Sequence, residues 1–298
     1  MVLYYSAKAD QTSEGQSYSG EGGLWPFLAY ICCKWNWEVF FVSKKVVSVI
    51  LLLFIFILAL AGCGKQETTA VKTLKVGTDA SYAPFGFQDE KTKDYIGFDI
   101  DLIKAVAKQA GFAVEISNLN FDGLIPALQT GNLDIAISDM TIDADRAQKV
   151  GFSKSYYKAG LGIVVRADNT DIKSVADLAG KNVAVSIGST GAEAARKIEN
   201  AKIREFNTIA DAFLELKAGG VDAVINDIPV NEYYILQNKN KETKTVDTPI
   251  NSEDLGIAVA KNNTELLAKI DKGLAEIKQN GEYEKIYVKW FGKKPPVE

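Results

Sequence analysis

The sequence predicts an α/β protein of two similar lobes, each a mainly parallel sheet flanked by helices. Two observations carry this. Short apolar, strand-like segments alternate with amphipathic helical ones along most of the chain, a pattern that gives parallel sheets with helices on both faces. One helix–strand unit is also written twice. LIPALQTGNLDIAISD (Leu124 to Asp139) runs in register with AFLELKAGGVDAVIND (Ala212 to Asp227), placing Gly131 over Gly219, Asp134 over Asp222, Ile137 over Ile225 and Asp139 over Asp227. Each copy reads as a helix, a glycine stop and a buried strand ending in aspartate.

The elements follow in order. Leu74 to Gly77 is a short strand. Over Asp99 to Ala110, Leu102, Ile103, Val106, Ala107 and Ala110 share one helical face, and Gly111 stops the helix. Ala113 to Ile116 is a strand. Asp122 is placed to cap a helix carrying Leu124, Ile125 and Leu128, and Asp134 to Ser138 is the strand after it. Ser174-x-x-Asp177 and Thr208-x-x-Asp211 have the form of capping boxes. Val183 to Ser186 and Asp222 to Ile225 are apolar strands. Leu266, Leu267, Ile270, Leu274 and Ile277 mark a long amphipathic helix ended by Gly281.

A different kind of sequence precedes this body. Val46 to Ala61 is an almost unbroken apolar run after Lys44 and Lys45, shorter than the roughly 20 residues of a membrane span. A positive start, an apolar middle and small residues at the end make residues 42–62 a secretory signal peptide. Leu60-Ala61-Gly62-Cys63 resembles the lipobox of bacterial lipoproteins. That resemblance implies cleavage before Cys63 and a diacylglycerol anchor on its thiol. Residues 63–73 are polar and read as a tether. Residues 1–41 show no stable period and lie ahead of the lysine pair, where signal peptides begin. They read as a mis-called or disordered leader, with initiation at Val42; N-terminal sequencing that found Met1 would overturn that.

Composition removes several classes of function. A net charge of −4 without any dense Lys/Arg stretch argues against nucleic-acid binding. With no histidine, a His-based triad and most zinc chemistry are excluded, and neither metal nor cofactor is expected. Cys32, Cys33 and Cys63 are the only cysteines, so the body after Cys63 has no disulfide and no thiol nucleophile.

Polar groups concentrate where strands end. Asp79 follows the first strand, with Tyr82 close behind, and Phe121 precedes a helix. Ser138, Asp139, Thr141 and Arg146 follow another strand. Gly188, Ser189 and Thr190 lie between a strand and a helix, and Asp227 ends the second repeat. Ligands of open α/β sheets bind outside the carboxyl ends of the strands, and these groups suit an amino acid. A guanidinium such as Arg146 can grip a carboxylate with two parallel bonds. A carboxylate such as Asp227 can hold an ammonium, and aromatic walls at Tyr82 and Phe121 would exclude water. Plainer readings stay open: Asp143 could cap a helix and pair with a surface Arg146, and Gly188 to Gly191 could be a simple turn.

From about Leu74 to Gly292 the chain resembles the solute-binding proteins of bacterial polar amino-acid ABC transporters, including glutamine-, histidine- and arginine/lysine-binding proteins. The motifs appear in one collinear order: GTDASYAPFGF, IGFDIDLIKAVAKQAG, DGLIPALQTGNLDIAISDMTIDADR, VGFSKSYYKAGLGIVV, DLAGKNVAVSIGSTG, GGVDAVINDIPV and NGEYEKIYVKWFG. The resemblance implies a periplasmic-binding-protein-like fold of type II, with two lobes on a two-strand hinge. Residues 74–158 with 253–298 would form lobe 1 and 159–252 lobe 2. It also implies roles. Arg146 would grip the α-carboxylate, helped by Thr141 and the loop at Gly188, Ser189 and Thr190. Asp227 would hold the α-ammonium, with the Ser138 carbonyl. Tyr82 and Phe121 would sandwich the side chain, and Asp79 would meet its tip. Implied partners are an ABC permease, its ATPase and the membrane through Cys63, with a monomer on the outer face of the cytoplasmic membrane. No enzymatic activity is expected. The alternatives are an enzyme on the same fold, like cyclohexadienyl dehydratase, or an amino-acid-sensing surface lipoprotein. In one departure, many relatives carry Gly or Ala where this chain has Asp139. Either a cationic ligand side chain answers it, or it points away and pairs with a lysine, so arginine/lysine and glutamine both stay open.

Overall fold

Most of the strands form two five-stranded sheets of the same plan, beside a two-stranded ribbon and a small three-stranded sheet. A computed structural model describes residues 71–237 and 241–296, together with Val49. The expected leader, Cys63, most of the tether and the rest of the expected signal segment lie outside the described residues.

The first sheet runs, edge to edge, Ala113–Asn118, Thr73–Thr78, Ile135–Ala136, Ala258–Ala260 and Val150–Phe152. The second runs Lys202–Phe206, Asn182–Ser186, Ala223–Asp227, Leu161–Arg166 and Thr243–Thr245. In each, the first three strands are parallel and the fourth runs against both of its neighbours. That reversed strand enters each sheet next to the junction between lobes rather than after a crossover helix, so βα alternation does not foretell it. The junction is a two-stranded antiparallel ribbon, Tyr157–Ala159 against Glu253–Leu255.

The repeated sequence is a repeated structure. Gly131 and Gly219 both adopt left-handed backbone, at φ 76° and 79°, just past the helices Phe121–Gln129 and Ile209–Ala218, a conformation glycine reaches without a Cβ penalty. The aspartate three residues on then locks its strand to the neighbouring one twice. Asp134 donates its N–H to Lys75 O at 2.9 Å and accepts from Lys75 N–H at 2.8 Å; Asp222 does the same with Asn182, at 2.8 Å for both bonds. Asp222→Ala would strand the Asn182 N–H in a half-buried place, so it is expected to lower stability by about 1–2 kcal/mol. A urea midpoint equal to that of the native protein would contradict this.

Two local expectations shift. Asn120, not Asp122, occupies the N-cap of the Phe121–Gln129 helix, without a side-chain cap bond. Asp122 sits in the first turn, where a carboxylate still favours the positive end of the helix. The strand expected over Asp134 to Ser138 narrows to Ile135–Ala136, since Asp139 turns to φ 50° and ends the extended run. Thr208 accepts from Asp211 N–H as the expected cap of its helix.

Helix Phe98–Ala110 packs closely on Thr264–Gln279. Gly273 permits this contact: a Cβ there would lie 2.8 Å from Val106 O. Phe85, Phe98, Tyr157 and Phe291 pack edge-on and tilted, 5.0–5.9 Å between neighbouring ring centroids. Through Tyr157 and Phe85 this cluster packs the junction ribbon against the segment that follows the Ser81–Tyr82 strand.

Candidate functional site

The carboxyl ends of the inner strands of both sheets meet at one pocket. It is lined by Asp79, Tyr82, Phe121, Asp139, Thr141, Arg146, Ser189, Thr190 and Asp227, and by Ser186 in addition. Of the expected site residues, Ser138 and Gly188 stand just behind the wall. The Ser138 hydroxyl accepts from Asp79 N–H at 3.0 Å. Gly188, at φ 73°, brings its carbonyl to Arg146, and a Cβ there would lie 3.3 Å from Asp122 Cβ.

Arg146 stands at one end. Asp143 caps the Ala144–Lys149 helix, accepting from Arg146 N–H at 2.8 Å, and its Oδ2 lies 3.1 Å from Arg146 Nε. The capping role is therefore real, yet Arg146 is only 7% exposed and its guanidinium faces the pocket rather than the surface. Nη1 donates to Thr141 O and Nη2 to Gly188 O, both at 3.0 Å, while the guanidinium carbon lies 5.2 Å from the Phe121 ring centroid. Each terminal nitrogen has two N–H groups, so one remains on each for a further acceptor. A bidentate carboxylate grip takes one N–H from each of two guanidinium nitrogens.

The threonine hydroxyls are otherwise engaged. Thr141 and Thr190 both donate to Glu253 Oε2, at 2.6 and 2.9 Å, and Asn251 Nδ2 donates to Glu253 Oε1 at 2.8 Å. A hydroxyl has one proton, so in this arrangement neither can also donate to a ligand. Glu253, on the junction ribbon, thus ties both lobes together through the pocket wall. Sequence reasoning missed it because a lone glutamate outside any repeat or strand end gives no signal. The Ser189 hydroxyl caps the Thr190–Arg196 helix by accepting from Ala192 N–H at 3.1 Å and donates to Ser186 O at 2.8 Å.

The rest of the lining is rich in carboxylates. Tyr82 donates to Asp227 Oδ2 at 2.6 Å and contacts Asn226 Oδ1, joining the two lobes across the pocket. Asp227 Oδ1 and both Asp139 oxygens are buried without hydrogen-bond partners. Asp139 pairs with no lysine among the described residues and lies in the pocket wall. Its N–H donates to the fully buried Asp99 carboxylate at 2.8 Å, which holds the turn. Burial, an unfavourable setting for charge, raises Asp227 to about 7, with the nearby Glu253 adding to the shift. It raises Asp99 to about 7 as well. Asp139 goes well above the usual carboxylate range through burial, then through the charges of Asp227 and Asp99. Asp79 is raised by burial and partly brought back by the Ser81 hydroxyl and N–H, which it accepts at 2.6 and 3.0 Å. Among the described residues no group of three or more His, Cys, Asp or Glu side chains is set to hold a metal ion.

Residues 74–293 match the model of the bacterial extracellular solute-binding proteins, family 3. The chain belongs to this family. Among similar family 3 proteins, the arginine-binding extracellular protein ArtP of Bacillus subtilis (strain 168) is 35% identical over 78% of this chain and 92% of its own length. The solved structure of "an ancestral arginine-binding protein bound to arginine" is 49% identical with a TM-score of 0.71, over 74% of this chain and 98% of that one. An ancestral arginine-binding protein bound to glutamine is 47% identical with a TM-score of 0.70, over 75% and 100%. The two-lobed α/β architecture of this family 3 member is that of amino-acid-binding proteins.

Proposed function

We propose that this protein is the extracytoplasmic binding component of an ABC importer, capturing a polar L-amino acid between residues 74–158 with 253–298 on one side and 159–252 on the other. The observation that carries this is the polarity of the pocket: one lining holds a guanidinium with an N–H left on each terminal nitrogen and buried carboxylates without partners. A zwitterion supplies the complement of both ends. Arg146 takes the α-carboxylate and Asp227 the α-ammonium, while Tyr82 and Phe121 flank the side chain and Asp79 lies at its tip. The Thr141, Ser189 and Thr190 backbone edges the carboxylate end, and Ser138 and Gly188 brace the wall.

Charge balance favours a cationic side chain over an amide. The lining holds Asp79, Asp139 and Asp227 against the single cation Arg146, and an uncompensated buried carboxylate is costly. The ribbon between lobes works as a hinge, and closure removes water from the ligand. The protein binds without transforming its ligand and passes it to a permease driven by an ATPase. Anchored as a monomer through a diacylglycerol on Cys63 at the outer face of the cytoplasmic membrane, it stays at high effective concentration near that permease. Calorimetry of the purified protein against the twenty L-amino acids is expected to show arginine or lysine binding most tightly, with glutamine weaker. Heat from none of the twenty would end this reading.

A further inference from the structure

Asp139 is the residue in this pocket that neither fold nor hydrogen bonding explains. It is 4% exposed, its backbone is held left-handed at φ 50°, and neither carboxylate oxygen has a partner. The groups around it come from every element packed against it. Asp99 lies on the Phe98–Ala110 helix, and Asp227 ends the Ala223–Asp227 strand. Glu253 and Tyr157 belong to the junction ribbon, with Tyr156 just before it. Arg146 is on the Ala144–Lys149 helix and Tyr82 on the Ser81–Tyr82 strand. One cation thus faces four carboxylates, and that cation is already bonded to two backbone carbonyls and paired with Asp143. Asp79, by contrast, lies beside Phe121 and Asp122 and accepts from the Ser81 hydroxyl and N–H.

Building on the binding role argued above, we propose that Asp139 and Asp227 act together as the acceptor of the ligand's α-ammonium, and that the pair gives a proton to solvent as the ammonium enters. Their three unpartnered oxygens match the three N–H donors of an ammonium. Without a ligand, two buried carboxylates lining one pocket resist ionising together, so they share a proton. The upward displacement of both groups agrees with this. On binding, the ammonium arrives with all its protons and its charge takes the proton's place, so the net charge at the pair is unchanged. The displaced proton leaves to water, and mass and charge balance. Affinity then rises with pH until the empty pair is ionised, and is lost in acid.

The test is titration calorimetry of the purified protein with L-arginine, and with L-glutamine as second probe, in phosphate and in Tris at about pH 7, followed by a pH series. Buffers of different ionisation enthalpy reveal a released proton as a difference in heat. Native protein is expected to release a substantial fraction of one proton per ligand. Its affinity should fall by up to about tenfold for each pH unit below the pair's titration. Asp139→Gly and Asp139→Asn both suit a left-handed backbone, so both should fold; each should release less proton and show a flatter pH profile. Binding by native protein with equal heats in the two buffers overturns the proposal, as does a release or pH slope unchanged in both variants. Absence of binding by all twenty amino acids is a different result: it overturns the importer reading and this proposal with it.

Discussion

Arg146→Ala is expected to abolish amino-acid binding while the protein still folds. Truncating one partner of a buried, hydrogen-bonded charge pair costs about 2–5 kcal/mol, or about 30- to 5,000-fold in affinity. The upper part of that range applies here, since Arg146 is the only cation lining the pocket among the described residues. Arg146→Lys should restore little. A guanidinium reaches Thr141 O and Gly188 O and keeps one N–H per terminal nitrogen for the ligand; an ammonium presents three donors from one point and cannot span the same four acceptors. The loss of the Gly188 bond also removes a contact between lobes, so the variant should open more readily. Calorimetry with L-arginine beside a thermal melt separates the effects. A folded Arg146→Ala that binds within a few-fold of native would place the carboxylate elsewhere.

The fold was legible where the signal was local. Gly131 and Gly219 stop helices because only glycine enters left-handed backbone cheaply, and Asp134 and Asp222 recur because each must pin its strand to the next. Phe98–Ala110 and Thr264–Gln279 carry the helical period over enough residues to be read directly. The reversed strands Leu161–Arg166 and Ala258–Ala260 were not legible, since their pairing is settled by partners more than fifty residues away. In the site, the strand-end rule alone puts Asp79, Asp139 and Asp227 in one place, because parallel strands bring their carboxyl ends together. It gives no account of how neighbours redirect them. That Thr141 and Thr190 spend their hydroxyl protons on Glu253, and that Arg146 is both helix-capped and buried, depends on three-dimensional neighbours.

Asp227→Asn is expected to lose ligand affinity and yet stabilise the empty protein at high pH. The asparagine oxygen can still accept from Tyr82, so shape and that bond persist while the charge goes. Affinity should fall at least about 30-fold, by the arithmetic of a truncated charge pair. The stability effect has a definite sign. Burial raises Asp227 to about 7 in the folded protein, above the roughly 3.9 of an unfolded aspartate, so the fold binds this proton more tightly than the open chain does. The contribution is fully present below the unfolded value and is lost as pH rises through about 7. Asparagine does not titrate, so relative to native the variant should gain melting temperature between about pH 5 and pH 8. Asp99, raised to about 7 by burial, titrates in both proteins, and Asp139, freed from the repelling charge of Asp227, shifts the comparison in the same direction. A melting difference that is the same at both pH values would mean that Asp227 stays ionised in the empty cleft. Retained affinity would move the ammonium away from it. If both effects appear, the acidic wall is destabilised in the empty protein because it is built for a cation that only the ligand brings.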